Sequence, residues 1–405
     1  MKKYINFSNL NAGFTAVMVG FFSSSAVIFQ LPLAFGLGLK EASSWIFALS
    51  VGIFLTCVGF SAYYKMPILT AWSTPGAAFL ITNIYCGVSL NEFIGIFMFC
   101  GFLTVLFGIT GWFKNIIMRI PKFIVYSMLS GVLLHFGINF FKAMQSQFLL
   151  VLSMYFVYLI GKRIFNEYII FLVLFIGILI SFLKKLLIFH PLYFNLIELT
   201  YIKPKFSFYS LVNIGLPLFF IMMMTQNLPA ITIINSFKYN PPISSLIIWI
   251  GIITIFLAPF GCYAINLSTF TAPICMGSDA HKDPSKRYKS VVFAGFFFLF
   301  IGSIGGSLMF SILSIFPKEL ITAITGLSLL SIISESLYMS FNIVDQYAKE
   351  ASLVTFIIIF SGISFLGISS IFCGLIFGLF VYFLKKKGFF YKKEILYKHY
   401  IWRDG

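Results

Sequence analysis

Apolar runs of eighteen or more residues recur from one end of this chain to the other, and no other feature restricts its folding so severely. A run of that length crosses the hydrocarbon of a bilayer as a helix, because only there can its backbone close every hydrogen bond within the segment. Segments bounded by turn or charge signals fall at 12–35, 43–62, 67–82, 92–112, 121–141, 147–161 and 167–188. A second series falls at 210–228, 243–257, 259–276, 290–315, 317–339, 351–366 and 367–384. The pattern predicts an all-α polytopic membrane protein with about 14 transmembrane segments. With 60% of residues hydrophobic and 10% charged, a soluble enzyme is excluded. The first run, Ala12 to Phe35, is too long for a signal-peptide core and has no small-residue cleavage site, so it reads as a retained span.

The net charge of +16 would suit a nucleic-acid binder if the cations formed one surface, but they lie in short connections and in the tail. Both termini in the cytoplasm put 21 of the 28 Lys and Arg residues on that side, leaving seven outside, which is the bias expected of a correct orientation. Nucleic acid is therefore not an expected partner; the bilayer is. Cys57, Cys86, Cys100, Cys262, Cys275 and Cys373 fall in apolar segments without CxxC spacing and read as small packing residues.

The chain is doubled. Pro121 and Pro317 open matched segments at an offset of 196 (317 − 121), with Lys122 over Lys318 and Leu133-Leu134 over Leu329-Leu330. At similar offsets Gln30-Leu31-Pro32 meets Gln226-Asn227-Leu228-Pro229, and Trp72-Ser73-Thr74-Pro75 meets Phe270-Thr271-Ala272-Pro273. Seven segments per copy is odd, so the second copy enters the membrane from the opposite face. The prediction is a 7+7 inverted repeat, 1–195 and 196–384, followed by a basic cytoplasmic tail, 385–405.

Segments 3 and 10 each carry a helix breaker at membrane depth, Pro75-Gly76 in one and Pro273 in the other. Irregular backbone survives there only where protein buries it or where it lines a cavity. Thr74 is expected to cap a half-helix beginning at Pro75, and Thr271 or Ala272 to do the same for Pro273. Inverted symmetry would bring the two positive helix ends face to face, a site for an anion. Ser73 and Gly76 belong to this broken backbone. Gln30, Gln226, Asn227 and Asn266 can offer amide donors to a carboxylate or bridge helices. Trp72 and Phe270 could sandwich an aromatic ring or simply pack.

Among ionisable groups, Glu335 and His135 lie deepest in the spans and are candidates for proton coupling, His135 also having the reading of a packing histidine. Asp279, His281 and Asp283 sit in a charged loop and read as a solvated turn rather than a metal site; no cofactor and no metal is expected. GLIFG at 374–378 and GSIGG at 302–306 have small-xxx-small spacing, which serves close helix packing and would also allow a homodimer.

The stretches GFTAVMVGFFSSSAVIFQ, KMPILTAWSTPGAAFL and QNLPAITIINSFKYNPPISSLI, with LAPFGCYAINLSTFTAPICMGSDAHKDPSKRY, resemble the benzoate/proton symporter family, the benzoate membrane transport proteins, over nearly the whole chain. The resemblance implies a secondary transporter of a bacterial inner membrane, importing a small aromatic carboxylate with protons. It implies a core domain from segments 1–4 and 8–11 and a gate domain from segments 5–7 and 12–14. Related nucleobase carriers hold acidic groups on segments 8 and 10, where this chain has Gln226, Asn227 and Asn266. A fixed carboxylate would repel an anionic substrate, so the difference favours an organic anion over a nucleobase. The reading from another class, an intramembrane enzyme, requires clustered His, Asp or Glu in the spans, and with four His and 12 acids in all the chain shows no such cluster.

Overall fold

The computed structural model describes residues 7–84, 87–111, 121–164, 169–188, 197–363 and 370–386. Cys86, Lys114, Arg119 and nearly all of the basic tail lie outside the described residues. The first copy contains α1 (Phe7–Ala34), α2 (Leu39–Tyr64), β1 (Thr70–Trp72), α3 (Thr74–Asn83), α4 (Leu90–Ile109), α5 (Lys122–Ser146), α6 (Phe148–Ile164) and α7 (Ile169–Leu183). The second contains α8 (Phe208–Ser236), α9 (Ile243–Leu257), β2 (Ile265–Leu267), α10 (Ala272–Met276), α11 (Tyr288–Ile315), α12 (Lys318–Phe341), α13 (Gln346–Ser361) and α14 (Ser370–Lys386).

Helix pairing displays the inverted repeat directly. The α2 helix packs along α11, and α4 packs along α9; exchanging the two copies turns one pair into the other. In the same way α6–α7 answers α13–α14, while α5 and α12, each started by its matched proline, pack on one another. One large apolar cluster, built on Trp45, Phe97, Phe219 and Tyr263, joins α1–α4 to α8–α11 and runs on into α5 and α12–α14 through Met128, Leu133, Leu329 and Ile359. A smaller one, around Phe140, Leu150, Met154 and Leu327, lies among α5, α6, α7 and α12. By its helix pairing the protein is thus a 7+7 inverted repeat.

Broken backbone brings one departure from all-α structure. β1 and β2 pair antiparallel, Thr70 opposite Leu267, Ala71 opposite Asn266 and Trp72 opposite Ile265. Each strand satisfies groups the other would leave bare inside the membrane. Three-residue strands carry no alternation that a sequence pattern could reveal, so the pair was not among the expectations.

Close packing fixes two further features. Gly261 leads into β2 with φ +97, and a Cβ there would fall 2.0 Å from the fully buried Trp45 ring. Gly261→Ala is expected to cost about 1–3 kcal/mol for the backbone alone, before the clash is counted, and to lower the melting temperature in detergent sharply. Gly374 and Gly378 of the GLIFG motif face Ile359 and Thr355 of α13, so this small-residue face is filled within the chain rather than left for a second copy.

The loop after α10 is a built turn. Asp283 accepts from the Ser285 N–H at 3.0 Å and lies 3.2 Å from Lys286, and the Ser285 hydroxyl and N–H hold its carboxyl down at about 2. Arg287 donates to the Met276 carbonyl at 2.7 Å, closing the C-terminal end of α10.

Candidate functional site

Both breaks are held in place from outside. Thr70 of β1 is fixed by α2, where its hydroxyl lies 2.5 Å from that of Thr56 and its N–H donates to the Cys57 sulfur at 3.3 Å. Cys57 is therefore more than a packing residue. On the other side, Asn227 of α8 accepts from the Leu267 N–H at 3.0 Å and donates to the Asn266 side-chain oxygen at 2.7 Å. That amide ties α8 to β2 at two points.

The placement of Asn227 follows from the sequence around it. Pro229 has no N–H for the carbonyl four residues earlier, and α8 widens into a π-type turn over Met223–Asn227. Gln226 then lines a cavity while Asn227 reaches the strand.

The first half-helix is capped one residue earlier than the sequence suggests. Ser73, not Thr74, is the cap: its hydroxyl accepts the Gly76 N–H at 3.0 Å, and its carbonyl accepts the Ala77 N–H at 2.9 Å. Thr74 is the first helical residue, and its side chain is left free to border the cavity. In the second copy Thr271 occupies the cap position, but its hydroxyl meets that of Ser268 at 2.8 Å instead of a backbone N–H.

The two copies are unequal at this point. The strands are offset by 195 residues (265 − 70) and the prolines by 198 (273 − 75), so the second copy has three more residues between strand and half-helix. Phe270, which the proline alignment places over Trp72, consequently lies in that longer connection and not in a strand. Phe270 is 65% exposed and Trp72 only 5%. The second half-helix is also shorter, five residues against ten, so its end carries a weaker dipole.

A cavity of about 500 Å³ opens between α1, α3, α8 and α11 on one side and α6, α7 and α12 on the other. The first wall holds Ser24, Trp72, Thr74, Pro75, Gln226, Phe270, Thr271 and Phe298. The second wall holds Tyr158, Lys162, Ile169, Leu327, Ser328 and Ser331. Trp72 is pinned: its indole N–H donates to Ser24 at 2.7 Å, and its ring meets Phe298 edge-on at 5.4 Å and Phe21 at 6.1 Å. A lobe of about 140 Å³ adjoins through the shared Pro75, Gln226 and Phe270, and is lined by Tyr126 and Glu335.

The remaining candidates stand elsewhere. Gln30 accepts from the Thr325 hydroxyl at 3.2 Å and lines neither cavity, so its amide bridges α1 to α12. Ser73, Gly76, Asn227 and Asn266 are buried supports behind the cavity wall. His135 stacks on Phe360 at 5.0 Å, away from both spaces. Most other lining residues were not among the expectations, Phe298 and Lys162 included. Phe298 looks like any of 53 phenylalanines, and Lys162 reads as a loop charge.

A profile of the family described as Benzoate membrane transport protein matches residues 3–384. The chain is 36% identical to "Inner membrane protein YdcO" of Escherichia coli (strain K12), over 91% of this chain and 93% of that protein. It is 34% identical to "Benzoate membrane transport protein" of Acinetobacter baylyi, over 93% of this chain and 94% of that protein. Among solved structures, the transmembrane domain of a cyanobacterium bicarbonate transporter, BicA, is similar with a TM-score of 0.58 at 13% identity. That match covers 93% of this chain and 98% of the other, a likeness of fold.

Proposed function

The chain belongs to the benzoate membrane transport protein family, and from that premise we propose that this membrane transporter carries benzoate or a similar aromatic carboxylate inward with protons, by alternating access. The observation that carries the reading is the cavity wall itself. It sets an aromatic face, Trp72 with Phe298, beside the start of the α3 half-helix, and among its described residues it holds no carboxylate. Burying roughly 150 Å² of a ring at ~25 cal/mol per Å² contributes about 3–4 kcal/mol. A favourable helix end adds up to ~2 kcal/mol for the carboxylate before desolvation is set against it.

The substrate-contacting set is then Trp72, Thr74, Pro75, Gln226, Phe270 and Thr271, with Ser73, Gly76, Asn227 and Asn266 positioning them. Segments 1–4 and 8–11 form the moving core, segments 5–7 and 12–14 the gate, and both termini lie in the cytoplasm. Glu335 is the proton carrier in this reading, because it borders the lobe that joins the cavity whereas His135 does not.

The test is uptake of labelled benzoate into proteoliposomes under an inward proton gradient. Uptake should be saturable and absent in a Pro75→Leu control. No uptake above that control, or equal uptake without the gradient, removes benzoate or the proton from the reading. Thr74→Val and Gln226→Ala should each weaken benzoate binding by about ten-fold, the effect of one hydrogen bond to a charged group, while leaving insertion intact.

A further inference from the structure

We infer that Lys162 is a second carboxylate station, on the gate side of the cavity, which receives the substrate's anionic end when it leaves the α3 half-helix. The inference rests on the aromatic-carboxylate reading above. Lys162 lies in the last turn of α6 and lines the same cavity as Trp72, Thr74 and Thr271. No other Lys, Arg or His stands among the described lining residues. Its ammonium donates to the Ser331 hydroxyl at 2.9 Å and to the Tyr158 hydroxyl at 3.2 Å, two neutral groups on the gate. An ammonium has three N–H donors, and the ion pairs among the described residues involve other lysines.

The chemistry is that of a cation held in position without a counter-charge. Tyr158 is 4% exposed and its ring centroid lies 5.3 Å from the ammonium, so a fixed aromatic face steadies the charge. Ser331 stands one helical turn before Glu335 on α12, so cation and acid are carried by one wall of the joined cavity. A carboxylate entering this space meets neutral donors at the core wall and a full positive charge at the gate wall. Moving from one to the other is a short transfer across the cavity, and charge-assisted hydrogen bonds are the stronger kind. If Lys162 only braced α6 against α12 through Tyr158 and Ser331, its charge would be dispensable.

The experiment measures benzoate affinity and its dependence on ionic strength for purified full-length protein, by thermal shift and by equilibrium binding. Lys162→Gln should bind benzoate about ten-fold more weakly and with a flatter salt dependence; Lys162→Arg should restore both. The adjacent Arg163→Gln, which removes the same charge beside the site, should change neither. Should the Gln variant not fold, Lys162→Met, which keeps the apolar stem, carries the same comparison. Wild-type affinity and salt dependence in the neutral variants would overturn the inference. So would an equal loss in Tyr158→Phe or Ser331→Ala, which weaken the brace but keep the charge. Absence of benzoate binding by the unmodified protein fails the aromatic-carboxylate reading itself, and the lysine's role with it.

Discussion

Asn227→Leu should collapse both stability and transport, the largest loss expected from any single amide in the protein. Leucine keeps the branching of asparagine at Cγ but is bulkier and offers no polar atom, so the site loses its hydrogen bonds and gains no cavity. The Leu267 N–H and the Asn266 carbonyl oxygen would lose their partners at 3.0 and 2.7 Å while remaining buried. At about 1–3 kcal/mol for each buried group left unsatisfied, the total is about 2–6 kcal/mol. The Asn266 side-chain nitrogen has no partner even in the native arrangement, so no second bond remains to hold that amide. A melt in detergent should show a large drop, and benzoate uptake should fall to background. Replacing both partners, Asn227→Leu with Asn266→Leu, should recover part of the stability, since removing both ends of a buried pair costs less than removing one. A melting temperature unchanged in Asn227→Leu would show that the strand pair does not depend on α8.

Trp72→Ala should be comparably damaging for a different reason. Truncating a buried aromatic costs about 3–5 kcal/mol through the lost transfer term and the void left behind. Here the void would open into the cavity, between Phe21 and Phe298, and Ser24 would lose the indole donor at 2.7 Å. Trp72→Phe keeps an aromatic surface and loses that bond, so it should fold well and bind benzoate measurably, though more weakly. The two variants together separate the wall's shape from its hydrogen bond. Equal benzoate affinity in Trp72→Ala and the native protein would exclude Trp72 from the substrate's surroundings.

The parts of this fold that were readable in sequence are those written in residues with one strong physical consequence. Proline at matched depth in a doubled chain has few interpretations, and Pro75 and Pro273 mark the two breaks correctly. Pro121 and Pro317 likewise mark two helix starts. The cap was misplaced by one residue because Ser73 and Thr74 are both good caps, and only the backbone path chooses between them. The strand pair was invisible because three-residue strands have no period. Gln30 and Gln226 look alike in sequence, each shortly before a proline. One turns to Thr325 and the other to the cavity, a difference made by the π-type turn that precedes Pro229 in α8. Lys162 was hidden by its position: a lysine in the last turn of a membrane helix normally reaches for water, and whether that turn borders a cavity is decided by helices remote in sequence.

In the alternating-access reading proposed above, the three surplus residues between β2 and α10 bear on which way the empty carrier rests. Were the halves identical residue for residue, swapping them would convert an outward posture into its inward counterpart, and the two would be equally populated. The longer connection and the shorter half-helix lift that degeneracy. Direction of rest is then a property inherited from an imperfect duplication, present before any gradient acts.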